Sequence, residues 1–265
     1  MAQPRVLILR APGTNCDGEA VHAFECAGGR AELLHVNRLL ESPHSLADFQ
    51  ILCLPGGFSY GDDVAAGRIL GNQLRHHLAD RLQEFKAAGK LILGICNGFQ
   101  ILIRSGILLP PAADFRAQAT LAWNASGKFE DRWVPLFVSS AKSVFFAGIE
   151  SMYLPVAHAE GKFVPRDEQT LAALAANGQI AVRYGCRETA GAALSLAPRA
   201  SYPDNPNGSL ADVAGVCDET GRVCGLMPHP ERHIDPTQHP RWTRGPMPAA
   251  GDGLRVFQNA VAYFR

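Results

Sequence analysis

The run Lys90-Leu91-Ile92-Leu93-Gly94-Ile95 is apolar on both faces, as a central strand of a parallel sheet must be. It leads directly into Cys96-Asn97-Gly98-Phe99-Gln100-Ile101-Leu102, where apolar residues recur at helical spacing. A buried strand that becomes a helix within one or two residues commits this part of the chain to strand-helix layering. Gly94-x-Cys96-x-Gly98 therefore reads as a nucleophile elbow with sulfur in place of the usual hydroxyl. So sharp a turn strains the dihedrals of the central residue and leaves its neighbours no room for a Cβ. Its central residue stands at a helix N-terminus, where the dipole and free N–H groups favour an anion. An inert buried cysteine is the alternative that this window alone leaves open.

The preceding segments extend the pattern. Short apolar runs at 5–10, 31–36, 49–54 and 90–96, separated by helical patterns at 18–27 and 70–88, predict repeated β-α units building a parallel sheet. Ligands of such sheets bind at the carboxyl ends of the strands. The loops 10–15, Pro55-Gly56-Gly57-Phe58 and the elbow are then expected along one edge. Beyond Pro110 the chain changes to separated strand-like runs at 133–140, 152–154, 162–164 and 179–184 with little helical signal, which predicts an antiparallel extension. A core strand returns at 222–227, and a last helix runs through Val256, Phe257, Ala260, Val261 and Phe264, with Asp252 or a neighbour as its cap.

Composition excludes several classes. The 265 residues are 47% hydrophobic and 19% charged, which suits one large α/β domain spanning 1–265. Lysine plus arginine equals aspartate plus glutamate, and no charged run offers a nucleic-acid or membrane surface. The seven cysteines lack Cys-x-x-Cys spacing, which argues against a disulfide framework or a zinc ribbon and suits a reducing cytoplasm; no metal site is expected. No secretory signal or membrane-spanning stretch is visible, and the glycosylation patterns at Asn124 and Asn207 would go unused in a cytoplasmic chain. Cys53 and Cys224 sit inside apolar runs and read as core, whereas Asn15, Cys16 and Asp17 read as a helix start.

A thiol nucleophile needs a base and a third group that orients the base. His229-Pro230-Glu231 supplies both, at the active edge of the sheet if the strand at 222–227 runs parallel to the others. In an extended His-x-Glu the two side chains point the same way. Acyl transfer also needs donors aimed at an oxyanion. The amides of Gly57, in the paired-glycine loop, and of Asn97, the residue after the nucleophile, are the candidates. His158 and Glu160 alternate on an apparent strand and are read as sharing a face, either toward substrate, as a second acid-base pair or toward solvent. A cysteine α/β-hydrolase is one rival reading, but it requires the acid before the histidine, and Glu231 follows His229. A non-enzymatic redox or stress protein is another, with no need of a Gly-Gly loop and His-x-Glu together.

Gly94-x-Cys96-x-Gly98-x-Gln100, Pro55-Gly56-Gly57 and His229-x-Glu231 together resemble the class I, triad-type glutamine amidotransferases. Pro12-Gly13-Thr14-Asn15-Cys16-Asp17, Leu54 to Asp62, Pro155-Val156-Ala157-His158-Ala159-Glu160-Gly161, Tyr202 to Ser209 and Gly225 to Arg232 narrow the likeness to the glutaminase family of phosphoribosylformylglycinamidine synthase. The resemblance implies a flavodoxin-like three-layer sandwich with a mostly parallel central sheet and an antiparallel strand extension. It implies Cys96, His229 and Glu231 as catalytic residues, Gly57 and Asn97 as the oxyanion hole, and Gly56, Phe58, Gln100, His158 and Glu160 as glutamine contacts. Ammonia would pass by a channel to a partner synthetase that carries the ATP and magnesium, joined in some lineages by a small third subunit; this chain would need no cofactor. Nothing in the chain resembles an ATP site, and Asp62-Asp63 reads as a helix start or a partner-facing loop rather than a metal pair. Two departures stand out: Ala159 replaces the family's usual glycine, and the segment 233–252 is longer than in compact members. The latter is read either as a docking element or as a disordered insertion. Length favours a stand-alone subunit over a piece of a fused enzyme.

Overall fold

Residues 3–114, 116–185 and 200–265 are described by the structure, a computed structural model. The parallel core consists of β1 (Arg5–Arg10), β2 (Arg30–His35), β3 (Ile51–Leu54), β4 (Leu91–Ile95) and β11 (Val223–Leu226). The antiparallel part adds β6 (Glu130–Val138), β7 (Ser151–His158), β9 (Ile180–Tyr184) and β10 (Val213–Cys217). Together they form a nine-stranded sheet in the order β2-β1-β3-β4-β11-β10-β9-β6-β7. β5 (Ala119–Ala122) and β8 (Lys162–Pro165) pair separately. Every residue of β3, β4 and β11 is buried, as strands covered on both faces require.

Helices α1 (Asp17–Cys26), α2 (Val36–Glu41), α3 (Arg68–His77), α4 (Ala79–Ala87), α5 (Asn97–Ser105), α6 (Glu168–Ala176) and α7 (Leu254–Ala262) complete the elements that matter here. The connection from β1 to β2 runs one way along the sheet and that from β3 to β4 the other. Right-handed crossovers therefore put α1 on one face and α3 and α4 on the opposite one. α7 joins α1 through Phe24 and Phe257, fully buried and edge-on with centroids 4.9 Å apart. Each ring contributes about 2–3 kcal/mol by leaving water.

The strand β11 does run parallel to β4, with Leu226 beside Ile95, so the loops after both strands emerge together. In the sheet order β10, β9 and β6 separate β11 from β7, yet the His229 N–H donates to the Pro155 carbonyl of β7 at 2.9 Å. The antiparallel half must therefore curl back over the carboxyl edge of the parallel half. Several local expectations change. The helical pattern at 70–88 is two helices, broken at Leu78 (φ −126°, ψ 6°). The sequence pattern does not predict α2, α6, β5 or β10, because short or Ala-rich elements carry little periodicity.

α7 starts at Gly253 without a side-chain cap. The Asp252 carboxylate instead accepts from the Tyr153 N–H at 2.7 Å, while His233 Nδ1 lies 2.9 Å from the Tyr153 carbonyl. The segment 233–252 is thus an ordered strap of short 3-10 turns along β7, where His233 and His239 pack edge-on against Trp133. These contacts hold the segment against β6 and β7. Cys186 lies outside the described residues; the other six cysteines are free thiols.

Candidate active site

Cys96 occupies the turn between β4 and α5 at φ +52°, ψ −106°, a conformation that L residues avoid. The turn is held from both sides. The Cys96 N–H donates to the Leu226 carbonyl of β11 at 2.8 Å, and its carbonyl accepts from Phe99 and Gln100. A Cβ on Gly98 would stand 1.8 Å from the Leu54 carbonyl oxygen, and one on Gly94 2.6 Å from that of Gly98. The elbow glycines are therefore obligatory. The Cys96 thiol points to the Ala157 carbonyl of β7, 3.7 Å away.

His229 and Glu231 lie in the loop after β11, each 1% exposed, with Nδ1 and Oε1 2.6 Å apart. Their contact does not come from an extended strand. Pro230–Arg232 is a 3-10 turn, and the turn brings Glu231 back under the imidazole. Burial opposes a charged imidazole, but the Glu231 carboxylate, the Cys96 sulfur and Cys16 together raise His229 well above the usual histidine range. Its other nitrogen, Nε2, is buried without a hydrogen-bond partner. The Cys96 sulfur is among the groups that raise this imidazole, in the loose arrangement common before substrate binds.

Gly57 has φ +133°, and a Cβ there would meet the Asn15 nitrogen at 2.6 Å. Only glycine lets this loop pass so close. The Asn97 N–H belongs to the first turn of α5, whose donors have no carbonyl within the helix. The Asn97 side chain accepts from the Ser59 N–H at 3.2 Å and donates to Asp62 at 3.1 Å and to Gln100 at 2.9 Å. Gln100 in turn donates to the Glu160 carbonyl at 2.6 Å.

A cavity of about 270 Å³ opens over Cys96 and is lined by Gly57, Phe58, Gln100, Trp123, His158 and Glu160, among others. Gly56 is not among them. It sits against the imidazole, where a Cβ would come within 2.7 Å of His229 Cε1. β7 ends at His158, so strand alternation does not extend to Glu160, although both line the cavity.

Asn124 fixes the state of His158. Its amide nitrogen donates to the Lys128 and His158 carbonyls and its oxygen accepts from the Gly161 N–H, so that oxygen faces His158 Nδ1 at 3.1 Å. Nδ1 must carry the proton, and burial, followed by the neighbouring His229, drops His158 to about 3. The buried, unpartnered Nε2 is an acceptor without a donor.

Asp62, Asn124 and Cys16 join the site although the sequence reading gives none of them a role there. Asp62 lies in a 3-10 turn, and burial, aided by the Glu160 carboxylate, pushes its carboxyl up to about 6. Its only signal is its place four residues after Phe58 in the oxyanion-side loop. Asn124 and Asn207 are buried and bonded internally, so their Asn-x-Ser patterns are structural. Cys16 occupies the cap position of α1 yet makes no cap bond there; its thiol lies 4.0 Å from His229 Nδ1.

Residues 3–264 match the family described as CobB/CobQ-like glutamine amidotransferase domain. Phosphoribosylformylglycinamidine synthase subunit PurQ of Dehalococcoides mccartyi is 46% identical over 266 residues, covering 100% of this chain and 99% of the relative. The same subunit of Archaeoglobus fulgidus is 38% identical over 275 residues, covering 98% and 96%. Among solved structures, PurLQS from Thermotoga maritima superposes with a TM-score of 0.73 at 32% identity, with both chains covered completely. A second glutamine amidotransferase from Thermotoga maritima shares the fold alone, with a TM-score of 0.50 at 16% identity over 92% of this chain and 82% of that one. With an elbow thiol, a buried imidazole-carboxylate pair and end-to-end likeness of sequence and fold, the chain belongs to the CobB/CobQ-like glutamine amidotransferase family, in its PurQ branch.

Proposed function

We propose that the chain hydrolyses glutamine to glutamate and hands the ammonia to a synthetase that makes formylglycinamidine ribonucleotide from formylglycinamide ribonucleotide. The observation that carries this reading is the strained Cys96 elbow at the floor of a cavity beside the 2.6 Å His229–Glu231 contact. In the first half-reaction the Cys96 sulfur attacks the carboxamide carbon, and the amides of Gly57 and Asn97 receive the oxyanion. His229 gives its proton to the departing nitrogen and so releases ammonia. In the second half His229 takes a proton from water, which opens the thioester to glutamate and frees the thiol. Glu231 holds Nδ1 throughout, fixing the ring and favouring the imidazolium.

Glutamine fits the cavity with its carboxamide over Cys96 and its α-ammonium toward Asp62 and Glu160, the acidic end. ATP and magnesium belong to the synthetase, and a small third subunit completes the complex. The relatives named as synthase subunits support this division. The whole chain is read as one glutaminase domain in the cytoplasm, and among the described residues no helix is long and apolar enough to cross a membrane.

The test reconstitutes the chain with its synthetase, ATP, magnesium and formylglycinamide ribonucleotide. Glutamate release should rise on adding the nucleotide. Cys96→Ala should abolish that release while the synthetase still accepts free ammonia. Undiminished glutamate release by Cys96→Ala would overturn the assignment.

A further inference from the structure

A second thiol lies against the same imidazole. Cys16, 1% exposed, lies with its sulfur 4.0 Å from His229 Nδ1. Arg232 Nη2 donates to that sulfur at 3.1 Å, and the thiol proton faces Asn15 Oδ1 at 3.3 Å. Through its backbone N–H the same residue donates to the Gly56 carbonyl at 3.2 Å, one peptide before Gly57. A Cβ on Gly56 would lie 3.1 Å from this sulfur, so thiol, glycine loop and imidazole are in direct contact.

Two roles can be set aside on physical grounds. Burial raises the Cys16 thiol, with His229 only partly opposing it, so Cys16 stays protonated and is no second nucleophile. Cys16, His229 and Glu231 also place ligand atoms within 4.8 Å of one another, a set suited to a thiophilic cation. The Arg232 guanidinium, held by Glu19 at 3.3 Å, already supplies positive charge to that sulfur.

We propose that Cys16 is a positioning residue that locks the oxyanion loop and the His229–Glu231 pair into one geometry. Its backbone pins Gly56 and its side chain fills the space beside Nδ1. A thiol suits the place because it is a weak donor and acceptor. It keeps water off Nδ1 without competing with Glu231 for the proton. Arg232 holds the sulfur against the ring. The kinetic part of the test rests on the glutaminase reading given above; the spectroscopic part does not.

In the reconstituted complex, Cys16→Ala should lower kcat for glutamate release about tenfold while the KM for glutamine stays within about twofold. The resting chain should show a strongly deshielded Nδ1–H proton resonance from the short His229–Glu231 contact, assigned by its loss in His229→Asn. Cys16→Ala should shift or broaden that signal, as water reaches Nδ1. Arg232→Gln, which releases the sulfur without opening a void, should move the resonance the same way and lower kcat about threefold. A folded Cys16→Ala with an unmoved resonance and wild-type kcat would overturn the proposal. If that variant does not fold, the same result in Arg232→Gln overturns it. Absence of glutamate release by the wild type would count against the glutaminase reading, and the resonance would still decide the role of Cys16.

Discussion

The two halves of the sheet do different work at one site. The parallel half delivers the groups to which the proposal assigns the reaction, from the carboxyl ends of its strands: the Gly57 loop after β3, Cys96 after β4, His229 and Glu231 after β11. It does so with strained backbone, glycines in close contact and a buried ion pair. The antiparallel half contributes the wall, through the Ala157 carbonyl, the neutral His158 and the amide network of Asn124 and Asn207. These groups are uncharged. On the proposed reading, reaction chemistry sits where helix N-termini and strand ends converge, and ligand shape falls to the strands that curl back over them.

The division can be broken experimentally. Glu231→Gln, in the parallel half, should lower kcat for glutamate release by about 10³-fold or more with little change in KM, as expected when a base loses its orienting carboxylate. A loss under about tenfold would mean that the ring is held by other contacts. Gly98→Ala should cost about 3 kcal/mol in urea unfolding, since its Cβ has 1.8 Å to the Leu54 carbonyl; an unchanged midpoint would show that the elbow relaxes freely. On the other side, Asn124→Ala should raise the KM for glutamine about tenfold and leave kcat within about threefold, because it frees His158 without touching the triad. A collapse of kcat equal to that of Glu231→Gln would erase the distinction between the halves.

The smallest effect lies where the halves meet, at Asp62. Its carboxyl titrates near 6 when folded against an ordinary value of 3.8, so the folded state holds a proton that the unfolded state has lost. Stability from this group is therefore complete below about pH 4 and declines as pH rises to about 6. Asp62→Asn should gain on the wild type across that window and hold a constant margin above it, measured by thermal melts from about pH 4 to about pH 8. A margin independent of pH would sink the burial of Asp62.

The same contrast governs what is legible in the residues alone. The elbow, the Gly-Gly loop and His-x-Glu can be read because close approach and positive φ restrict the residue types to a few. The parallel direction of β11 is a condition the position of His229 sets, and its pairing with β4 is seen only in the structure. In the second half, the alternating strands β6 and β7 are visible in the pattern but shorter or displaced, and β10 escapes it although Val213-Ala214-Gly215-Val216-Cys217 precedes a turn at Asp218-Glu219-Thr220-Gly221. The curl that brings Ala157 to Cys96 depends on sheet twist and long-range register, for which a local window carries no signal. Cys16 is read correctly as the start of a helix, but its thiol makes no cap bond, and the contact it makes with His229 across the fold leaves no local signal.

The outer strand β7 has one more consequence. Along its open side the Tyr153 N–H and carbonyl face the strap, the Pro155 carbonyl takes the His229 N–H, and the Ala157 carbonyl faces the Cys96 thiol. An unprotected edge strand is a template on which another chain can add a strand. Here those groups are occupied by the strap and by the residues of the site itself. A newly made chain that has not yet seated His229 and Cys96 therefore presents a sticky edge, and one that has seated them does not. Correct assembly of the site and resistance to edge-to-edge aggregation are acquired in the same step.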